Sequence, residues 1–297
     1  MKSYTQLRTL YGKLTLDVSS DNLTLGDELM NDEYRTACAE KDWSFLHRAR
    51  TLTTTASTQF KPLPYDIDLV ESVFVTVSSQ RYTPKILHSR EEWDLINGSV
   101  VTSDIPEYAF VYNGEIGLYP TPASSSNVVT VNGKVRVIDL INADLTAQQV
   151  AITTATTAVV GTGTSWRRGI TGSWMRIALN SSSDTTSGDH EWYEISAVGS
   201  TTAITLVRTY NGGTVAVGVA TIGQMPLTPS FAHEMPVYSA AATYWYSNGN
   251  SVKGDNFMKI HDRKRKALDN YSSAVSDPVL WDGEDENVIN PNLTVNL

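Results

Sequence analysis

Residues 145–164 read LTAQQVAITTATTAVVGTGT, with no charged side chain and with apolar positions scattered among threonines and alanines. From there to about Met225, Ser, Thr, Gly and Val dominate. Short β-branched runs alternate with turn clusters at Gly161-Thr162-Gly163, Ser181 to Gly188 and Asn211-Gly212-Gly213. This texture predicts an all-β unit, a sandwich or barrel, over residues 146–225. The flanks are different. They predict an α+β core over 1–145 and 226–275, a helical bundle base with a β layer, followed by an extended tail at 276–297.

On the N-terminal side, Tyr4 to Tyr11 forms a short amphipathic start that alternates polar and apolar residues. Thr24-Leu25-Gly26-Asp27 has the form of a helix cap with a carboxylate three residues on, predicting a helix that runs toward Leu46. Met30, Tyr34, Ala37, Cys38 and Phe45 share its apolar face. Beyond Leu52, the alternation of Ile67, Leu69, Val73, Val75 and Val77 predicts strands. Ser89 to Trp93 predicts a short capped helix. Asn113-Gly114, between two apolar runs, predicts a two-residue hairpin, and Val128–Val137 further strand pairing.

On the C-terminal side, Pro236 fits the first turn of a helix that closes at Gly249. A second helix, 252–273, places Phe257, Ile260, Leu268 and Tyr271 on one side and Lys259, Arg263 and Lys266 on another, which predicts a helical hairpin. The final segment contains Trp281, the acidic stretch Asp282 to Glu286, and scattered apolar residues that cannot build a core alone.

The bulk numbers narrow the function. The 297 residues carry a net charge of -9, which disfavours a tight nucleic-acid binder. A single cysteine, Cys38, cannot form an intrachain disulfide, and its helical setting predicts core packing. No signal-peptide core or membrane-length apolar run is present. The five histidines, His47, His88, His190, His233 and His261, are dispersed. No HExxH, nucleophile elbow, P-loop or dinucleotide fingerprint occurs. No catalytic, cofactor or metal site is therefore expected, and nucleotide-driven packaging is excluded as this chain's task.

Three sharper readings remain beside that one. Trp166, Trp174, Trp192 and Tyr193 could form a glycan platform, although core filling is the expectation. Asp184, Asp189 and Glu191 surround a Ser/Gly loop and could collect a hard cation, yet they miss the EF-hand spacing. Glu191 and Glu194 could act as a hydrolase pair only if they flank a cleft.

Four features in order resemble phage head-to-tail adaptor (connector, neck) proteins. They are Asn31-Asp32-Glu33-Tyr34-Arg35 through Trp43; Leu63-Pro64-Tyr65-Asp66; Ile116 to Pro122; and the alanine-rich stretch Tyr238 to Tyr246. The resemblance covers residues 1–145 and 226–275. It implies a non-enzymatic virion protein, assembled in the host cytoplasm, that forms a ring, usually twelvefold, between the portal and a tail or nozzle protein. It further implies that double-stranded genomic DNA passes through without tight binding and that no membrane is involved. Docking on the portal through an extended terminal segment would fall to Trp281, Val288, Ile289, Leu293, Val295 and Leu297. Lys259, Arg263 and Lys266 are candidates for subunit or DNA contact. The competing reading is a virion decoration or carbohydrate-binding protein acting through the β unit, and after it a cell-wall hydrolase.

Overall fold

A computed structural model describes residues 1–99, 101–179 and 187–276. The chain is α+β, with a closed six-stranded barrel. It opens with α1 (Tyr4–Thr15) and α2 (Ser20–Ala39). The alternation read at the start is helical: Ser3 and Gln6 form a reciprocal cap, and Tyr4, Leu7 and Tyr11 bury one face. The cap expected at Thr24 lies inside α2. Ser19 caps that helix, accepting a hydrogen bond from the Asn22 amide, while the Thr24 hydroxyl donates to the Ser20 carbonyl. The helix also stops at Ala39 rather than reaching Leu46. Trp43 turns into a 3₁₀ turn at Ser44–Leu46, its indole donating to the Ala37 carbonyl at 2.7 Å.

Two four-stranded sheets follow. The first has the order β1-β8-β3-β4, from β1 (His47–Thr53), β3 (Ile67–Val77), β4 (Gln80–Tyr82) and β8 (Val128–Val135), all antiparallel. The second has the order β2-β7-β6-β5, from β2 (Phe60–Pro62), β5 (Lys85–Leu87), β6 (Tyr108–Tyr112) and β7 (Glu115–Tyr119), with β5 parallel to β6. As the sequence predicts, α3 (Arg90–Ile96) is capped by Ser89. Asn113 and Gly114 take φ of 51° and 77°, the left-handed pair that a two-residue hairpin requires.

Leu69 departs from the expected alternation and is 59% exposed. Register shifts flank it on β3 and turn its side chain outward. The bulge brings the Leu69 carbonyl so close to Gly133 of β8 that a Cβ there would lie 2.1 Å from it.

The barrel is formed by β9 (Leu145–Ile152), β10 (Ala158–Thr162), β11 (Trp174–Ile177), β12 (Trp192–Ser200), β13 (Ala203–Leu206) and β14 (Val215–Gly223). It closes in the order β10-β13-β12-β11-β14-β9 through pairing of β9 with β10. Its interior is its own cluster, including Val150, Trp166, Met175, Tyr193, Ile195 and Ile222. Closure removes the sheet edges that an open six-stranded unit would expose.

α4 (Met235–Ser247) and α5 (Ser251–Ser276) complete the fold as the expected hairpin, with Gly249 at φ 74° between them. α4 packs against α1, α2 and α5. Ala240, Ala241 and Ala242 are buried there, allowing close approach of the helices. Residues of α1, α2, α4 and α5 share one core with both sheets, and Cys38 is packed inside it.

Gly26 tests this packing. Replacing a mid-helix glycine with alanine normally stabilises a helix by about 1 kcal/mol. Here a Cβ would sit 2.3 Å from the ring of Tyr11, which is fully buried and held by Asn22 through its hydroxyl. Gly26→Ala is therefore expected to destabilise the protein by about 1–3 kcal/mol, read as a fall in the urea midpoint; a rise would contradict this packing.

Candidate assembly surfaces

Among the described residues no strand of the barrel pairs with either sheet, so side chains fix the junction. Alternate residues of β1, Arg48 and Arg50, point toward it. Arg48 Nη1 donates to both carboxylate oxygens of Glu194 on β12, each at 2.7 Å. Arg50 Nη2 reaches Glu194 Oε1 and Asp66 Oδ2, both at 2.6 Å, while its Nε reaches Asp66 Oδ2 at 2.9 Å. The four side chains are between 9% and 20% exposed. Burial opposes the charge on Arg50, but the hydrogen bond with Asp66 and the field of Glu194 outweigh it and raise its pKa. Gly172, at φ 81°, lets the barrel approach Tyr65, whose hydroxyl would lie 2.3 Å from a Cβ there.

A second fastening holds the chain where it enters and leaves the barrel. The Ser3 hydroxyl donates to Asp144 Oδ2 at 2.6 Å, and the Asp144 amide donates to Thr5 Oγ1 at 2.8 Å. The Tyr4 amide donates to the Gln224 carbonyl at 2.8 Å, and Gln224 Oε1 accepts from the amides of Ile141 and Asn142. Both connections are thus tied to the start of α1. His233, 1% exposed, holds the preceding residue: Nδ1 lies 3.1 Å from the Lys2 amide and Nε2 3.0 Å from the Thr228 carbonyl. Burial pushes this imidazole down to about 4, so it is neutral at physiological pH.

In the middle of α5, Lys259 and the run Arg263 to Lys266 divide into two sets. Lys264 pairs with Glu234 at 3.1 Å, and Arg265 with Glu33 and Glu40, tying α5 to α2 and α4. Lys259, Arg263 and Lys266 are exposed, lie on one face at spacings of four and three, and make no ion pair among the described residues. The candidate docking residues Trp281, Val288, Ile289, Leu293, Val295 and Leu297 lie outside the described residues, as does Asp184.

The Glu191/Glu194 hydrolase pair and the stacking faces of Trp166 and Trp192 lose their geometry, while Trp174 is partly buried in a cavity wall. Trp166 is 2% exposed and Trp192 6%, so neither offers a sugar a stacking face. The Trp166 indole donates to Gln148, and the Arg176 guanidinium lies over the Trp192 ring. Glu191 is spent on Arg208 at 2.9 Å, and Glu194 is locked between two arginines, so the pair does not flank a cleft. Asp189 accepts from the Tyr193 hydroxyl and the Glu191 amide. Among the described residues no three His, Cys, Asp or Glu side chains are placed to hold a metal, and no helix is long and apolar enough to cross a membrane.

The sequence does not single out Arg48 or Arg50, and Asp66 stands out in it only as the end of Leu63-Pro64-Tyr65-Asp66. The available signal was the pair of arginines two apart in His47-Arg48-Ala49-Arg50, the strand spacing that puts both charges on one face. Glu194 stands out in the sequence only as half of a candidate acid pair.

Comparison with known families finds that the profile described as SU10 adaptor protein matches residues 2–150, from α1 into β9. No curated protein matches the chain.

Removing Glu194 strands two mostly buried guanidinium groups. Glu194→Ala is expected to destabilise the protein by about 3 kcal/mol, whereas Glu191→Ala, which breaks an exposed pair, should stay within about 0.5 kcal/mol of the parent. Urea denaturation of both variants checks this, and equal effects would contradict the structural role of the cluster.

Proposed function

Because the chain belongs to the SU10 adaptor protein family, a family of phage head-to-tail adaptors, we propose that it forms a ring between portal and tail through which the double-stranded genome passes. The observation that carries this reading is the match over residues 2–150, which spans α1, α2 and both sheets of the shared core. In this account the helices are the base that builds the ring wall. Residues 146–225 are an inserted domain facing the tail or outside, and residues 276–297 dock on the portal through Trp281, Val288, Ile289, Leu293, Val295 and Leu297.

Function here is geometric matching rather than turnover. Each contact can be modest, because a closed ring multiplies it through effective concentration. Charge supports free passage of DNA: copies of a subunit with net charge -9 surround the duplex with a weakly adhesive wall. The exposed Lys259, Arg263 and Lys266 face is the part suited to a neighbouring subunit or to brief phosphate contact.

Electron microscopy of the chain mixed with the portal protein encoded beside it tests the proposal. The expected result is a ring stacked coaxially on the portal, lost when the chain is truncated after Ser276 while the truncated subunit stays folded. Absence of portal association by the full chain would overturn the adaptor reading, and normal association by the truncated chain would overturn the docking assignment.

A further inference from the structure

β1 is an edge strand. It is hydrogen-bonded to β8 on one side, and its other edge has no strand partner among the described residues. Along that edge runs a groove of about 580 Å³, lined by successive β1 residues Ala49 to Leu52 on one side and by Ala197 and Val207 of the barrel wall on the other. Residues of both strand parities line it, which is the signature of a space beside the strand rather than above or below the sheet. Its charged lining residues, Arg50 and Asp66, are already paired with each other. What is left is an uncharged slot beside unpaired backbone, the setting in which an extended peptide adds a strand.

We propose that this groove receives the chain's own segment Leu293–Leu297, added to β1 as a fifth strand of the β1-β8-β3-β4 sheet. Three features select that occupant. Leu293, Val295 and Leu297 alternate with Thr294 and Asn296, the period-2 pattern of a half-buried strand, and residues 287–297 carry no charge. The end of α5 lies beside the entrance to β1: Lys41 Nζ is 2.5 Å from Asp269, and Tyr271 shares a cavity wall with Phe45 and Arg48. Seventeen residue steps separate Ser276 from Leu293, a reach of about 56 Å when extended, ample to enter the groove from that end.

The occupancy does not depend on the adaptor reading. Its consequence does: the same three apolar residues are proposed above for portal docking, so a segment lying in the groove is withheld from the portal.

Hydrogen–deuterium exchange tests the occupancy on the full chain, on the chain truncated after Asn292, and on the variant Leu293→Asp/Val295→Asp/Leu297→Asp. Each is measured at a low and a high protein concentration. The outward-pointing amides of β1 are expected to exchange roughly tenfold more slowly in the full chain than in either variant, at both concentrations, with β11 and β14 unchanged. Equal β1 rates in all three proteins would overturn the proposal. Protection that appears only at the higher concentration would assign the groove to a second copy and overturn it equally.

Discussion

Four charged side chains, Arg48 and Arg50 on one strand and Asp66 and Glu194 facing them, decide how the two larger hydrophobic clusters of this protein sit together. Charges withdrawn this far from water are tolerated only in good mutual geometry, which recovers the desolvation cost; three of the four carboxylate oxygens are bound by arginine, and Asp66 Oδ1 is buried without a partner among the described residues. That requirement makes the cluster directional in a way that apolar contact is not. A hydrophobic interface can slide; a carboxylate bound by one arginine through both oxygens and by a second through one cannot. The fastening of Ser3, Tyr4 and Thr5 to Asp144 and Gln224 acts on the same junction from another side. Two independent attachments leave the barrel little freedom to rotate.

The helical side shows the same division between charges that hold the fold and charges left over. Glu33, Glu234, Lys264 and Arg265 are used within the subunit. His261, 12% exposed at its side chain, is drawn into the same network by Glu33 at 3.0 Å, and that hydrogen bond raises its pKa. Lys259, Arg263 and Lys266 are left facing outward on a chain whose balance is acidic. Five of its nine net negative charges fall within 277–297, leaving four on residues 1–276. A chain arranged this way has more than half of its net charge in one segment and a more nearly balanced body.

Much of the fold was legible from local chemistry. Asn113-Gly114, Ser89 before Arg90, Pro236 and Gly249 act within a few residues, and each appears where its backbone preference demands. The uncharged stretch beginning at Leu145 announced an all-β unit, and closure into a barrel was one of the two forms it allowed. The errors came where local signals competed. Thr24 had cap-like neighbours, but Ser19 stood earlier with a free amide within reach. Leu69 obeyed the strand period, but a bulge set by pairing with β8 turned it outward. The junction was invisible for a different reason. Arg48 and Glu194 are 146 residues apart, and no local pattern links a carboxylate on one strand to a guanidinium on another. Pairing them needs the tertiary fold.

The measurement that bears most directly on this account is a distance between the barrel and the core in solution. Spin labels at Leu95→Cys, where the side chain is 84% exposed, and at the exposed Thr162→Cys would report it without interference from the buried Cys38. Double electron–electron resonance should give one narrow distance distribution, which Glu194→Ala broadens. A broad or multiple distribution in the unaltered background would show that the four-residue cluster does not fix the barrel, and the account built on it would fail.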